Sequence, residues 1–117
     1  IHLWCFFMYE IFKKSILYDL YGGLLNDNQK TVYEYRVIDD LSFSEIGEEL
    51  GISRQAAYDL YKSADRKLSY VDKKLELSVR FRDIEKLAND IVNKTQDKKI
   101  NNLAKKIISK TLKGGND

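Results

Sequence analysis

The segment from Leu41 to Leu60, LSFSEIGEELGISRQAAYDL, constrains the fold more than any other part of the sequence. Ser42 and Glu45 have the spacing of a capping box, in which each side chain accepts from the other residue's backbone N–H, and they predict the start of a helix. Gly51 supplies the positive φ with which a helix ends abruptly. Ser53 can then cap a second helix. The segment therefore predicts two helices joined by a tight turn.

Seven positions in this segment carry the residue types that a helix-turn-helix requires. Two helices that cross steeply need a small residue where they touch, and Gly47 provides it. Ile52 fills the space under the turn, and the other apolar positions face inward at helical spacing. The seven positions are Ile46, Gly47, Leu50, Gly51, Ile52, Ala57 and Leu60. Because two unrelated amphipathic helices would need neither Gly47 nor Ile52, we predict a helix-turn-helix motif over residues 42–68.

The remaining sequence predicts helices and no strands, so the fold class is all-α. Apolar residues spaced three and four apart predict helices over 9–25 and 28–38. A further stretch after the motif is rich in helix-forming residues, and it ends in an amphipathic piece over 100–112. We expect a small helical bundle that contains the motif, followed by a helical C-terminal extension. The expected boundaries are 8–75 for the helix-turn-helix domain and 76–112 for the basic extension. Residues 1–7 and 113–117 are expected to be non-structural ends, and Met8 resembles a natural first residue.

Composition argues against several classes of function. The single cysteine, Cys5, excludes an internal disulfide and a cysteine-based zinc site. The single histidine, His2, leaves no partner for a histidine-centred catalytic or metal cluster, and no glycine-rich phosphate loop is present. No apolar run approaches the roughly 20 residues of a membrane-spanning helix. We therefore expect no enzyme, no cofactor, no metal and no membrane insertion, and a cytoplasmic location.

The charge is distributed unevenly. Residues 8–75 contain 10 basic and 12 acidic side chains, whereas residues 76–117 contain 10 basic and 6 acidic ones. Within residues 43–69 the balance is four basic against five acidic. Because attraction to phosphates supplies most non-specific affinity for DNA, the motif by itself should bind DNA weakly.

The stretch LSFSEIGEELGISRQAAYDLYKSADRKL resembles the fourth conserved region of bacterial sigma factors, and residues 8–94 as a whole resemble the YlxM family. The most specific matching pieces are Glu45-Ile46, residues 50–56 and Tyr58-Asp59, while Gly47 stands where alanine is usual. The resemblance implies a sigma-region-four-like helix-turn-helix protein that regulates through DNA. It also implies a link to the signal recognition particle, its GTPases and its RNA. The alternative is a non-catalytic interaction protein that docks on those components without reading DNA.

If the second helix of the motif enters a major groove, its outward residues near the N-terminus face the base edges. Arg54 could pair with guanine, Gln55 with adenine, and Ser53 with phosphate. Asp59 on or beside the same face would repel phosphates. The candidate nucleic-acid-binding residues are Ser53, Arg54, Gln55, Tyr58, Lys62 and Arg66, of which any could instead be an ordinary solvated or packing residue.

A heptad-spaced apolar row follows the motif and has two explanations. The row, which includes Leu77, Phe81, Ile84 and Ile91, either folds back on the first three helices or pairs with its copy in a homodimer. We favour the homodimer, since helix-turn-helix proteins usually read paired half-sites. The lysines of the tail form either a solvated helix face or a contact to DNA or RNA.

Overall fold

The computed structural model describes residues 2–111, with only the backbone of residues 2 and 4, and within this range it contains six α-helices and no strand. The chain divides into two compact units, the first ending at Lys74 and the second beginning at Leu75. This confirms the all-α fold class. The helices are α1 (His2–Tyr21), α2 (Asp27–Tyr33), α3 (Phe43–Leu50), α4 (Arg54–Leu75), α5 (Leu77–Lys94) and α6 (Lys98–Ser109).

The core of the first unit lies where α2, α3 and α4 meet. Val32, Ile46 and Ala57, one from each helix, are completely buried against one another. Partly buried side chains surround them, including Ile52 under the turn and Leu60 on α4. Ile46, Ile52, Ala57 and Leu60 therefore pack as predicted, and the motif residues form the centre of the fold.

Polar contacts join α1 and α2 to the length of α4. The Lys14 ammonium donates to an Asp65 carboxylate oxygen at 2.7 Å. Further along, the Tyr21 hydroxyl donates to Asp72 at 2.6 Å. On α2, the buried Gln29 amide donates to the Ser63 hydroxyl at 2.8 Å. Each contact has one partner on α4, so this helix supports the whole unit as well as carrying the motif.

The first helix begins at His2 rather than at the predicted Tyr9, so residues 2–7 are helical and are not the non-structural end that we expected. The stretch contains neither proline nor glycine, and nothing in it ends a helix. Its Leu3, Phe6 and Phe7 side chains are exposed. The predicted non-structural end at 113–117, and the end of the last predicted helix at residue 112, lie outside the described residues.

The second predicted helix changes its pitch before it ends. α2 starts with a capping box between Asn26 and Gln29, and its last turn widens into a π-helix over Glu34–Ile38. A π-turn holds an extra residue, which rotates the following side chains around the helix axis. Ile38, the last residue of this π-helix, is 57% exposed.

The second unit is a hairpin of α5 and α6. Asp97 caps α6 by accepting from the backbone N–H groups of Lys99 and Ile100. Ala88 and Ala104 are the buried apolar residues of the two helices among the residues described. The apolar row of α5 thus lies beside α6 of its own unit, a contact that the heptad spacing did not indicate. Pairing of the row with a second copy stays a prediction.

Candidate nucleic-acid interface

The turn between α3 and α4 is built by residues that act through backbone geometry. The Ser42 N–H donates to Glu45 Oε1 at 2.9 Å, and the Glu45 N–H donates to Ser42 Oγ at 3.1 Å. The backbone hydrogen bond from Ser42 holds the pKa of the Glu45 carboxyl below its ordinary value, and the hydroxyl adds to this effect. At the other end, Gly51 adopts φ 69°, the left-handed conformation that was predicted for it. The capping box and the glycine stop therefore limit α3 to eight residues.

Gly47 is required by a close approach of two backbone segments. A Cβ atom at this position would lie 2.7 Å from the Ile52 carbonyl oxygen. The same two residues are tied together by the Ile52 N–H, which donates to the Gly47 carbonyl at 3.0 Å. An alanine at this position would have to push the turn away. Leu50, in contrast, does not face inward as predicted and is 36% exposed, because it ends α3 beside the turn.

The first turn of α4 is organised by Ser53. Its hydroxyl oxygen accepts from the Ala56 N–H at 3.0 Å, and its carbonyl accepts from the Ala57 N–H at 3.0 Å. This is the predicted N-cap. Because the hydroxyl proton of Ser53 is not used in that bond, it can still be donated to an anion. The helix N-terminus adds a partial positive charge at the same place.

The other candidate residues lie along the outer surface of α4. Gln55, Lys62 and Arg66 follow the spacing of seven and then four residues, which puts them on one side of a helix. Arg54 and Gln55 are exposed in the first turn, Arg66 is exposed further along the helix, and Lys62 is half-buried between them. We call Gln55, Asp59, Lys62 and Arg66 the outer stripe of α4. The structure thus brings together the candidate polar residues, with Arg54 at the N-terminal end of the stripe.

Asp59 belongs to this stripe, and it is bonded to Gln55. The Gln55 amide nitrogen donates to Asp59 Oδ1 at 2.9 Å. The hydrogen bond restricts the rotamers of Gln55, while its amide oxygen and second N–H remain for other partners. Asp59 therefore has two opposite properties at this surface: its charge would repel phosphates, and its hydrogen bond orients Gln55.

An aromatic cluster fixes Tyr58 at the edge of the stripe. The ring of Tyr58 packs edge-on against Phe43, with centroids 5.2 Å apart. The Arg36 guanidinium covers Phe43 at 4.8 Å from the ring centroid. Tyr58 keeps 40% of its surface exposed, so it packs and remains accessible. Tyr61, a second tyrosine of α4 that could have stacked on bases, is instead stacked on Tyr33 in the core with centroids 5.7 Å apart.

The ion pair of Asp65 changes the charge balance that the sequence suggested. Asp65 is one of the five acidic residues between 43 and 69, and it lies 2.7 Å from Lys14 of α1. Burial by itself would lower the pKa of Lys14, but the hydrogen bonds with Asp65 and Tyr61 raise it above the ordinary value. The negative charge of Asp65 is thus compensated by the Lys14 ammonium. No local pattern in the sequence indicated this pair, because 51 residues separate its members.

Residues 2–111 offer neither a metal site nor a membrane span. In this part of the chain, no group of three or more histidine, cysteine or carboxylate side chains is placed to hold a metal ion. The described helices also include none with the length and apolar character needed to cross a bilayer.

Comparison with known proteins gives one consistent match. The family described as "Putative helix-turn-helix protein, YlxM / p13 like" (UPF0122) matches residues 8–108. A UPF0122 protein of Thermoanaerobacter sp. (strain X514) is 43% identical over 70 residues, which cover 60% of each chain. A UPF0122 protein of Clostridium novyi (strain NT) is 38% identical over 95 residues, which cover 81% of this chain and 83% of the relative. The similarity thus extends beyond the motif into the C-terminal helices.

Proposed function

Because the chain belongs to the UPF0122 family of YlxM/p13-like helix-turn-helix proteins, we propose that it is a DNA-binding regulatory protein. The observation that carries the proposal is the outer stripe of α4, where Gln55, Lys62 and Arg66 are aligned beyond a capped and exposed helix N-terminus. A recognition helix reads base edges with residues in these positions. The cytoplasm, where DNA is accessible, is the location that this proposal requires.

Each candidate residue has a role in the proposed complex. The Arg54 guanidinium pairs with guanine O6 and N7, and Gln55, oriented by Asp59, pairs with adenine N6 and N7. The Ser53 hydroxyl donates to a phosphate at the start of α4. Lys62 and Arg66 contact the phosphate backbone, and Tyr58 packs against the sugar or base at the edge of the stripe. Since Asp65 is already paired with Lys14, it opposes phosphate binding less than its formal charge suggests.

Two copies are part of the proposal, because one motif offers few phosphate contacts. Arg54, Lys62 and Arg66 are the basic side chains of the interface, and their number is small for a stable complex at physiological salt. A homodimer, predicted through Leu77, Phe81, Ile84 and Ile91, doubles that number and reads two half-sites.

The test begins with duplexes that the wild-type protein selects from a random library. Fluorescence anisotropy then compares the binding of the wild type and of the double variant Arg54→Ala/Gln55→Ala to a selected duplex. We expect the double variant to lose discrimination between the selected duplex and a scrambled one, by about 100-fold if each base contact contributes about 1–3 kcal/mol. The matched control is Arg80→Ala/Gln96→Ala, which removes the same exposed residue types from the second unit. Unchanged discrimination in the Arg54/Gln55 variant would refute the proposed readout.

A second candidate function is favoured by the acidic surface of α3. Glu48 and Glu49 are both exposed there, and they would dock on a basic surface rather than on nucleic acid. In this alternative the protein is a non-catalytic component of the signal recognition particle pathway that contacts the particle's GTPase or, through its basic tail, the particle's RNA. A purified-component pull-down with each of these, comparing wild type with Glu48→Lys/Glu49→Lys, distinguishes the two functions. Charge reversal should abolish docking on the GTPase and should strengthen rather than weaken binding to DNA.

A further inference from the structure

The side of α4 that carries the outer stripe continues past Arg66 into the C-terminal half of the helix. Ser69 and Lys73 follow at spacings of three and then four residues, so they lie on the same side of the helix as Lys62. Both residues are exposed. Because seven residues of an α-helix rise about 10 Å, Lys73 lies two turns beyond Arg66. This side of α4 therefore carries positive charge beyond the end of the helix-turn-helix motif.

A cleft between α1 and α4 adjoins this part of the helix. It has a volume of about 190 Å³ and is lined by Lys13, Leu17, Ser69, Asp72 and Lys73. We call it the α1–α4 cleft. Its two lysines are exposed, and within residues 2–111 neither of them forms an ion pair. The cleft therefore brings together two ammonium groups and one hydroxyl group that can donate to a ligand.

The carboxylate that lines the cleft already has a partner. The Tyr21 hydroxyl donates to Asp72 Oδ1 at 2.6 Å. The other two carboxylates of α4 also accept hydrogen bonds within the fold, Asp65 from Lys14 and Asp59 from its neighbour on the stripe. Each acidic side chain of α4 thus has a donor from this chain, whereas the lysines of the cleft keep their donors for a ligand of opposite charge.

We propose that the α1–α4 cleft binds one phosphate group of the DNA backbone. Lys13 and Lys73 supply the positive charge, and the Ser69 hydroxyl donates to a phosphate oxygen. The inference rests on the proposed function, and it adds one phosphate contact per copy to those of Lys62 and Arg66. Because a phosphate carries no sequence information, the cleft strengthens binding to every duplex by the same factor.

Fluorescence anisotropy of the full chain with the scrambled duplex, over a range of salt concentrations, tests the cleft. Lys13→Ala/Lys73→Ala should make the slope of log association constant against log salt shallower by about 1 per copy, and should weaken binding about fivefold at about 0.15 M salt. Lys67→Ala/Lys74→Ala is the matched control, because it removes the same charge from exposed positions on a different side of α4. We expect this control to keep the slope of the wild type.

Lysine acetylation of the wild-type chain, read by mass spectrometry, locates the contact without any substitution. We expect the scrambled duplex to protect Lys13 and Lys73 from acetylation, while Lys67 and Lys74 react as they do in the free protein. Equal reactivity of the four lysines in the presence of the duplex overturns the proposal. An unchanged salt slope in Lys13→Ala/Lys73→Ala overturns it as well.

These outcomes are separate from those that test the reading of base edges. Both measurements use a duplex without the selected sequence, so they do not depend on Arg54 or Gln55. Discrimination that is unchanged in Arg54→Ala/Gln55→Ala refutes the proposed readout and leaves the cleft in place. Protection of all other basic residues of α4 but not of the two cleft lysines refutes the cleft and leaves the readout in place.

Discussion

Replacing Gly47 by alanine tests whether the turn is as tight as the structure indicates. On helix propensity alone this change should stabilise the protein, since alanine is favoured over glycine in a helix by about 1 kcal/mol. In the folded chain, however, the added Cβ would lie 2.7 Å from the Ile52 carbonyl oxygen. That oxygen belongs to a backbone that is tied to Gly47 by a 3.0 Å hydrogen bond, so it cannot move independently.

The two effects have opposite signs, and their difference gives the expected magnitude. Ordinary van der Waals contact begins near 3.4 Å, so the turn would have to move by several tenths of an ångström. Forcing a methyl group into a packed region costs about 1–3 kcal/mol. Subtracting the propensity gain leaves a net destabilisation of about 1 kcal/mol. For a domain of this size, that corresponds to a fall in Tm of about 4–8 °C.

Urea denaturation followed by circular dichroism measures the effect, and two other glycines provide controls. Gly23→Ala meets no atom within 4 Å and has no positive φ, so it should be neutral or slightly stabilising. Gly51→Ala also meets no atom, but φ 69° should cost it about 1–2 kcal/mol. A Gly47→Ala protein that is more stable than the wild type would refute the close approach of Gly47 and Ile52, whatever the two controls show.

Three further predictions concern other parts of the chain. Lys14→Met should lower the free energy of unfolding by about 1 kcal/mol at neutral pH. Because the pKa of Lys14 is raised above 10.5, this difference from wild type should persist from neutral pH up to pH 10.5 and shrink as the pH rises further; a difference that is already lost below pH 10.5 on the alkaline side would contradict the raised pKa. Glu76→Gly should stabilise the protein by about 1 kcal/mol in the same urea assay, since Glu76 has φ 58° between α4 and α5; a loss of stability would count against that conformation. The logarithm of the DNA association constant should fall against the logarithm of salt concentration, and the phosphate contacts of Lys62 and Arg66 should contribute a slope of about −2 per copy; a slope near zero would exclude these contacts.

The elements that the sequence predicted correctly depend on local interactions. The capping box of Ser42 and Glu45, the left-handed Gly51 and the cap at Ser53 each involve residues no more than a few positions apart. Their geometry follows from the backbone conformation that each residue type favours. The errors had local causes too. The helix over residues 2–7 has no breaker in its sequence, and Leu50, predicted to face inward, is exposed at the end of α3 beside the turn.

The composition of the candidate interface could be predicted only in part. The spacing of Gln55, Lys62 and Arg66 is enough by itself to place them on one face of α4. The number of acidic residues, however, assigns the same repulsion of DNA phosphates to each of them. The fold distinguishes between them, since Asp65 is neutralised by Lys14 and Asp59 is hydrogen-bonded to Gln55.

By itself, then, the sequence determined most of the helices and the tight turn, because propensity, capping and periodicity act over a few residues. Tertiary structure alone decided how close Gly47 comes to Ile52, which acidic side chain is paired, and where the apolar row of α5 packs. These depend on the distance between helices and on partners far away in the chain. In the apolar row of α5, for example, Ile84, Leu87 and Ile91 remain exposed beside α6. The heptad pattern gathers these residues on one face of the helix, but it does not indicate which of them the neighbouring helix covers.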